Sequence, residues 1–293
     1  MSKAPSNKIS AGIIGTGNIG SDLLAKVQRS SVLECGIFAG HNPDSEGIRR
    51  AQKIGVPTTF ESVHYIEQNP DCCQIVFDAT SAKVHAYNAP ILKRLGKYAI
   101  DLTPAHVGKF CVPVVNLSDA ITLDNVNLIT CGGQATIPIA CALKSVCDVK
   151  YLEIVATIAS KSAGIGTRNN IDEFTQTTKN AIQELAGIKN AKAIIILNPA
   201  EPPLTMHNTV YALIDNPDMD AITKAVQKME KQIQEYVPGY RVVLGPVFEN
   251  GRVTVSIEVV GSGDFLPEYA GNLDIITCAA VKIAETYAKE KLL

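Results

Sequence analysis

The stretch Ile9-Ser10-Ala11-Gly12-Ile13-Ile14-Gly15-Thr16-Gly17-Asn18-Ile19-Gly20 decides the fold. Its first six residues form a short apolar run that reads as a strand, and Gly15, Gly17 and Gly20 then break it in G-x-G-x-x-G spacing. Leu23, Leu24 and Val27 follow at helical intervals, and the apolar run from Leu33 to Ala39 completes a strand, helix, strand unit. In such a unit the first glycine permits a tight turn. The second lets backbone approach a pyrophosphate, the third lets helix and strand pack closely, and the helix N-terminus faces the anion. A dinucleotide site is therefore expected at Gly15, Thr16, Gly17, Asn18, Ile19 and Gly20.

The alternation continues outward from this unit. A helix is expected near Gly47 to Ile54, a buried strand from Ile75 to Phe77 ending in Asp78-Ala79-Thr80-Ser81, a helix from about Lys83 to Leu95, and a strand from Tyr98 to Leu102. Strands alternating with helices imply a doubly wound parallel sheet. Asn125 to Thr130 reads as a further strand running into Cys131-Gly132-Gly133-Gln134, with Pro138 suited to the first turn of a helix reaching Val146.

Beyond that helix the pattern changes. Tyr151–Ser160, Ile194–Leu197 and Thr209–Ile214 are β-rich, and Val242–Phe248 pairs with Arg252–Val260 across Asn250-Gly251, a strong hairpin signal. Two amphipathic helices lie between them, one carrying Ile171, Phe174, Ile182 and Leu185, the other Met219, Ile222, Val226, Met229 and Ile233. This half reads as α+β with a mostly antiparallel sheet, and a last helix from about Leu273 to Lys289 is expected to return to the first domain.

The chain has 293 residues, enough for two domains. Lys plus Arg number 27 against 29 Asp plus Glu, so the net charge of −2 gives no electrostatic footprint for nucleic acid or an anionic membrane. No run approaches the roughly 18 apolar residues of a membrane span, and no signal-peptide core precedes the first strand, so a cytoplasmic protein is expected. The eight cysteines show neither a CxxC pair nor zinc-ligand spacing, and a long chain with thiols rather than disulfides suits a reducing compartment.

Of these cysteines, Cys131 has the context of a nucleophile. Two following glycines leave backbone N–H groups open to a bound oxygen, and a helix N-terminus is expected to favour its thiolate. Attack on a carbonyl, with the turn holding the oxyanion, would make it an acyl-transfer residue. Cys111 sits in β-like Val-Pro-Val-Val sequence, and the other six lie in packed elements or loops. A thiol nucleophile beside a nicotinamide implies aldehyde oxidation through a thiohemiacetal and a thioester. The second strand runs out into Ala39-Gly40-His41-Asn42, where an acidic residue normally bonds the ribose. Asn42 can still bond a hydroxyl, and NAD is expected over NADP. Arg49 and Arg50 read as a solvated helix face, His85 and His106 as structural or solvated, Asp78 as a cap of the Thr80-Ser81 turn or a cofactor contact, and Asn169 or Asn170 as a helix cap.

The segments IIGTGNIGSDL, IVFDATSA, IDLTPA, VPVVNL, NVNLITCGGQATIP, IASKSAGIGTRNNIDEFTQTT, KAIIILNPAEPPL, YVPGYR and LPEYAGNLDIIT resemble the acylating acetaldehyde dehydrogenases that partner 4-hydroxy-2-oxovalerate aldolase in the breakdown of aromatic compounds, and the resemblance covers nearly the whole chain, from Ile13 to about Thr286. The resemblance implies oxidation of acetaldehyde with NAD and coenzyme A to acetyl-CoA and NADH. It assigns the acyl thioester to Cys131 and the pyrophosphate loop to Thr16–Ile19. A second cofactor loop falls on Ser162, Ala163, Gly164, Ile165, Gly166, Thr167, Arg168, Asn169 and Asn170, and a contact near the nicotinamide on Asn272. The implied fold is that of the glyceraldehyde-3-phosphate and semialdehyde dehydrogenases. It has a Rossmann domain over 1–131 completed by a helix at 271–293, and a catalytic and dimerisation domain over 132–270. A homodimer is implied, and no metal.

Three departures from the family pattern stand out. The family carries Arg-Asp beyond its Pro-Pro-Leu motif, where this chain has His207-Asn208, and an Asn cannot accept a proton at neutral pH. Loss of a general base costs on the order of 10² to 10⁴ in rate, so either the helix N-terminus ionises Cys131 or His207 substitutes. The family's long loop after Gly-Tyr-Arg is a tight hairpin here, weakening aldolase docking, and the acid expected near Asn42 is missing. Two rival readings follow: a phosphate-dependent semialdehyde-type dehydrogenase, and a nucleotide-binding scaffold for an aldolase.

Overall fold

The computed structural model describes residues 8–164, 168 and 171–293. In chain order the elements are β1 (Ile9–Ile14), α1 (Asn18–Arg29), β2 (Leu33–Ala39), α2 (Glu46–Lys53), β3 (Thr58–Thr59), α3 (Val63–Gln68), β4 (Ile75–Asp78), α4 (Ala82–Arg94), β5 (Tyr98–Asp101), β6 (Lys109–Phe110), α5 (Pro113–Ala120), β7 (Asn125–Asn127) and α6 (Cys131–Val146). After these come β8 (Val149–Ala159), α7 (Ile171–Leu185), β9 (Ala191–Asn198), β10 (Met206–Ile214), α8 (Met219–Gln234), β11 (Tyr240–Glu249), β12 (Arg252–Val259) and α9 (Gly271–Tyr287).

The chain forms two compact units. One holds the residues up to Lys109 with Ser118–Asn127 and Ala280–Leu293; the other holds Phe110–Leu117 and Leu128–Ala279. In the first, a seven-stranded sheet runs in the order β3-β2-β1-β4-β5-β7-β6, and β1 pairs in parallel with both β2 and β4. The strand order reverses at β1, which opens a crevice at the carboxyl ends of β1 and β4, where ligands bind in doubly wound folds. β1 and β4 are apolar because a parallel sheet is covered on both faces: Ile13, Ile14, Ile75, Val76 and Phe77 are fully buried.

In the second unit five strands run β11-β12-β10-β8-β9, antiparallel except for β8 with β9. Along β10 burial alternates, with Met206, Asn208, Val210, Ala212 and Ile214 inside and His207 and Leu213 out. That period of two places one face against the apolar cluster shared with α6, α7 and α8, in which Ile137, Leu143, Ile182, Ile222 and Val226 are buried.

Three local expectations are corrected. The strand before Cys131 ends at Asn127, because Ile129 takes φ +65°, a left-handed value that no strand accommodates. Pro138 lies in the interior of α6, eighth of its sixteen residues, since Thr130 caps the helix eight residues earlier by accepting from the Gly133 N–H at 2.9 Å. The Val-Pro-Val-Val run is helical: Pro113 opens α5, where a proline's missing N–H costs nothing. A kink at Asn116 follows, whose side chain accepts from the Val112 N–H and donates to the Phe110 carbonyl.

Candidate active site

The turn between β1 and α1 has the geometry the glycine spacing implies. Gly15 has φ +106°, and a side chain there would begin 2.4 Å from the Ala79 carbonyl oxygen. A methyl on Gly20 would lie 1.8 Å from the Gly15 oxygen, so only glycine lets α1 start this close to β1. Gly17 caps the helix with nothing within 4 Å of where its side chain would project. The first-turn N–H groups of α1 receive no side-chain cap from Gly17, and the surface beside them is open to an anion. Sequence reasoning missed the brace behind this loop: Ser45 Oγ lies 2.9 Å from Thr16 Oγ1 and donates to the Thr16 carbonyl. Asn42 is exposed and turns its Oδ1 onto the Asp44 N–H at 3.0 Å, an Asx turn at the end of β2.

In the second unit Cys131 is the first residue of α6. Thr130 caps the helix and shares a 2.7 Å hydrogen bond with Thr178, whose Oγ1 also reaches the Phe174 carbonyl. Gln134 donates to the carbonyls of Cys111 and Leu128, fixing the approach to the turn, and Thr136 donates to the Gly132 carbonyl. A methyl on Gly132 would meet Phe174 at 2.9 Å and Ala156 at 3.1 Å, and one on Gly133 would meet Ile129 at 2.8 Å. These two glycines therefore admit neighbours to the turn and do not leave it open. Thr130 was legible as a cap, since threonine before a helix is a start signal; Thr178, Phe174 and Gln134 carried no such signal.

The electrostatic expectation for Cys131 is reversed. Part of the residue reaches the surface, yet the protein around it pushes the thiol up to about 12, while the backbone N–H groups of Gly132 and Cys131 pull weakly the other way. Desolvation of the thiolate exceeds the stabilisation a helix N-terminus offers.

Asn208 is buried on the helix-covered face of β10, in register with Ala156 on β8, the residue that touches Gly132. Neither its amide oxygen nor its nitrogen has a hydrogen-bond partner. His207 lies on the opposite face, exposed, with Nε2 3.8 Å from Glu258. It cannot stand in for a base at 208, because adjacent strand residues point to opposite sides of a sheet.

Ser162 is buried and donates to the Ala159 carbonyl, Ala163 is buried, and Gly164 is exposed. Arg168 turns onto this loop, donating to the Ser160 carbonyl at 2.7 Å and to the Ala163 carbonyl. Lys161 pairs with Glu201 at 2.7 Å. Ile165, Gly166, Thr167, Asn169 and Asn170 lie outside the described residues. Asn272 is buried, its Nδ2 3.5 Å from the Ser162 carbonyl and its Oδ1 without a partner. A buried acceptor with no donor suits a ligand amide N–H. Among the described residues no group of three His, Cys, Asp or Glu side chains could hold a metal, and no helix is long and apolar enough to cross a membrane.

Residues 131–267 match the family model described as prokaryotic acetaldehyde dehydrogenase, dimerisation. The acetaldehyde dehydrogenase of Geobacillus stearothermophilus is 53% identical over 288 residues, 98% of each chain. The chain belongs to the acetaldehyde dehydrogenase family. Acetaldehyde dehydrogenase 2 of Comamonas testosteroni is a further relative, 54% identical over 292 residues, 98% of this chain and 95% of that one. In fold, this family member matches aspartate semialdehyde dehydrogenase II from Vibrio cholerae, with a TM-score of 0.64 and 14% identity over 97% of this chain and 100% of that one. The expected architecture, a Rossmann-type sheet with a semialdehyde-dehydrogenase-like α+β partner, is thus observed, and a dehydrogenase of this fold implies a nicotinamide cofactor.

Proposed function

We propose that the chain is an NAD-dependent, CoA-acylating dehydrogenase of acetaldehyde and similar short aldehydes, with Cys131 as its nucleophile. The observation that carries this reading is Cys131 at the first position of α6, with its own N–H and that of Gly132 directed at the sulfur. Those N–H groups can hold the oxyanion formed when sulfur adds to the aldehyde carbon. NAD fits the residues present in the glycine-loop unit: the α1 N-terminus is open at Gly17 for the pyrophosphate. When bound, the cofactor accepts hydride. Cys131 then carries the acyl group as a thioester until the CoA thiol displaces it, giving acetyl-CoA, NADH and a proton.

The thiol must lose its proton as it attacks, and Asn208 cannot take it at neutral pH. The rate of acylation should therefore rise with pH. The borders 1–131, 132–270 and 271–293 belong to this reading, supported by the clustering of Ala280–Leu293 with the glycine-loop unit. So does a homodimer, supported by the description of the matched family model and by exposed Ile196, Leu213, Val243 and Leu244 on the second sheet. An aldolase partner rests on resemblance alone.

The test is NADH formation from acetaldehyde, NAD and CoA, with each component omitted in turn and with Cys131→Ala. Activity that needs CoA and not phosphate, and is lost in Cys131→Ala, supports the reading. Phosphate dependence favours a semialdehyde-type enzyme, and a flat trace from folded wild type favours a scaffold.

A further inference from the structure

A buried ionic cluster at the carboxyl edge of the seven-stranded sheet takes no part in the chemistry above. Asp78 ends β4 and Asp101 ends β5, and the parallel register sets them side by side. Both are fully buried, as is His85 on α4. Two carboxylates removed from water need a cation or a proton between them. His85 Nδ1 lies 2.9 Å from Asp78 Oδ2, and its Nε2 lies 3.4 Å from Asp101 Oδ2. A neutral ring would turn a lone pair toward one of these carboxylates, whereas an imidazolium offers an N–H to both. Asn125 fits the charged form once its amide is turned over. Its Nδ2 faces His85 Nε2 at 3.1 Å while its Oδ1 is buried without a partner; turned over, the amide accepts from the Nε2–H.

The cluster reaches the glycine loop through one turn. Asp78 Oδ1 accepts from the Thr80 N–H and hydroxyl, and Oδ2 accepts from Asn88 at 2.8 Å as well as from His85. Ala79 between them donates to the Ile14 carbonyl at 2.7 Å, and its own carbonyl oxygen fills the space where a Gly15 side chain would begin. Asp101 is anchored in turn by the Thr103 N–H and by Asn127, each at 2.7 Å.

We propose that His85 is a positioning residue, a buried imidazolium that pins Asp78 and through the Ala79–Thr80 turn holds Gly15 in the shape that receives the dinucleotide. The inference deepens the NAD reading and rests on it. The charged groups facing His85 are Asp78 from β4 and Asp101 from β5; Asn88 from α4 and Asn125 and Asn127 from β7 are the amides of the cluster. Burial works against the charge on His85, but the hydrogen bond to Asp78 and the field of Asp101 exceed it and raise the value above the ordinary 6.5. Burial pushes Asp101 up to about 6. Asp101 thus loses its proton above about pH 6, and the His85 contribution is complete below the ordinary histidine range and lost as pH rises through the raised value.

Two measurements on the full chain test this. In ¹⁵N-histidine NMR, with His85→Gln to assign the signal, the ring should be charged at pH 7 and lose its proton above the ordinary range, and Asp101→Asn should move that midpoint down. NADH affinity, followed by fluorescence, should fall about tenfold across the same pH interval. In His85→Gln it should start about tenfold weaker and show no such inflection, with the loss appearing in KM for NAD before kcat. A ring neutral at pH 7, or identical pH profiles in wild type and His85→Gln, overturns the proposal. If His85→Gln does not fold, the affinity profile of Asp101→Asn replaces it, with its inflection expected at lower pH and an unmoved inflection overturning the role. Wild type that binds neither NADH nor NADPH defeats the dinucleotide reading and the positioning role together, while the NMR midpoint alone decides the charge.

Discussion

The two glycine-bearing turns of this chain look alike on paper and do opposite things in space. Gly15-Thr16-Gly17 leads from β1 into α1 and leaves Gly17 facing open space. Thr130-Cys131-Gly132-Gly133 opens α6, and its glycines are packed against Phe174, Ala156 and Ile129. Both supply a helix N-terminus. At the first it remains available to an anion from outside; at the second it is enclosed with a thiol whose ionisation burial opposes more strongly than the helix promotes it. A glycine after a strand thus has two readings, access for a ligand or admission of a neighbour, and only the surroundings distinguish them.

The largest effect should come from the enclosed turn. Cys131→Ala should lower NADH formation from acetaldehyde by roughly 10⁴-fold or more, because in the proposed mechanism no other group forms the thioester, while the thermal midpoint stays near wild type; retained turnover would break the comparison. Next comes the open turn. Gly20→Ala places a methyl 1.8 Å from a backbone oxygen that cannot rotate away, so unfolding in urea should show a loss of about 3 kcal/mol, the upper end for overpacking. Gly17→Ala, with nothing within 4 Å, should cost under about 1 kcal/mol and yet weaken NADH binding, which separates access from packing.

Thiol chemistry sharpens the contrast by about one order of magnitude per pH unit. Iodoacetamide labelling of Cys131, read by peptide mass spectrometry, should rise about tenfold per unit between pH 7 and 9 because its thiol ionises only near 12. Cys72 in the glycine-loop unit should level off above pH 8. Its sulfur lies 3.8 Å from that of buried Cys73, whose hydrogen bond draws it down to about 7 against burial, with help from Lys97. The smallest effect is expected at His207. His207→Ala should leave kcat/KM within about twofold, whereas Asn208→Asp, on the covered face, should alter the pH profile; a large loss in His207→Ala would contradict the side assignment.

Much of the fold was legible because its signals are local. The β1–α1 turn, the alternation through Tyr98, the Asn250-Gly251 hairpin and the apolar stripe of α8 follow from backbone preferences and from periods of 2.0 and 3.6. The errors sit where a distant group overrides the local signal. Pro138 looked like a helix start, but Thr130 provided a stronger one. The strand before Cys131 looked continuous, but Ile129, a β-branched residue in a left-handed conformation that costs on the order of 1–3 kcal/mol, is held there by its buried surroundings. His85 looked solitary, since Asp78 is seven residues away and Asp101 sixteen, and only the strand register joins them.

By itself, then, the sequence determined that this chain would build a glycine-loop parallel sheet, an antiparallel α+β unit and a cysteine at a helix start, because φ/ψ limits and side-chain periodicity act between near neighbours. Only the tertiary structure decided that Cys131 is held as a thiol, that Asn208 is enclosed while His207 faces away, and that His85 bridges two aspartates. Desolvation and charge pairing depend on every atom within a few ångströms, and those atoms arrive from strands and helices far apart in the chain.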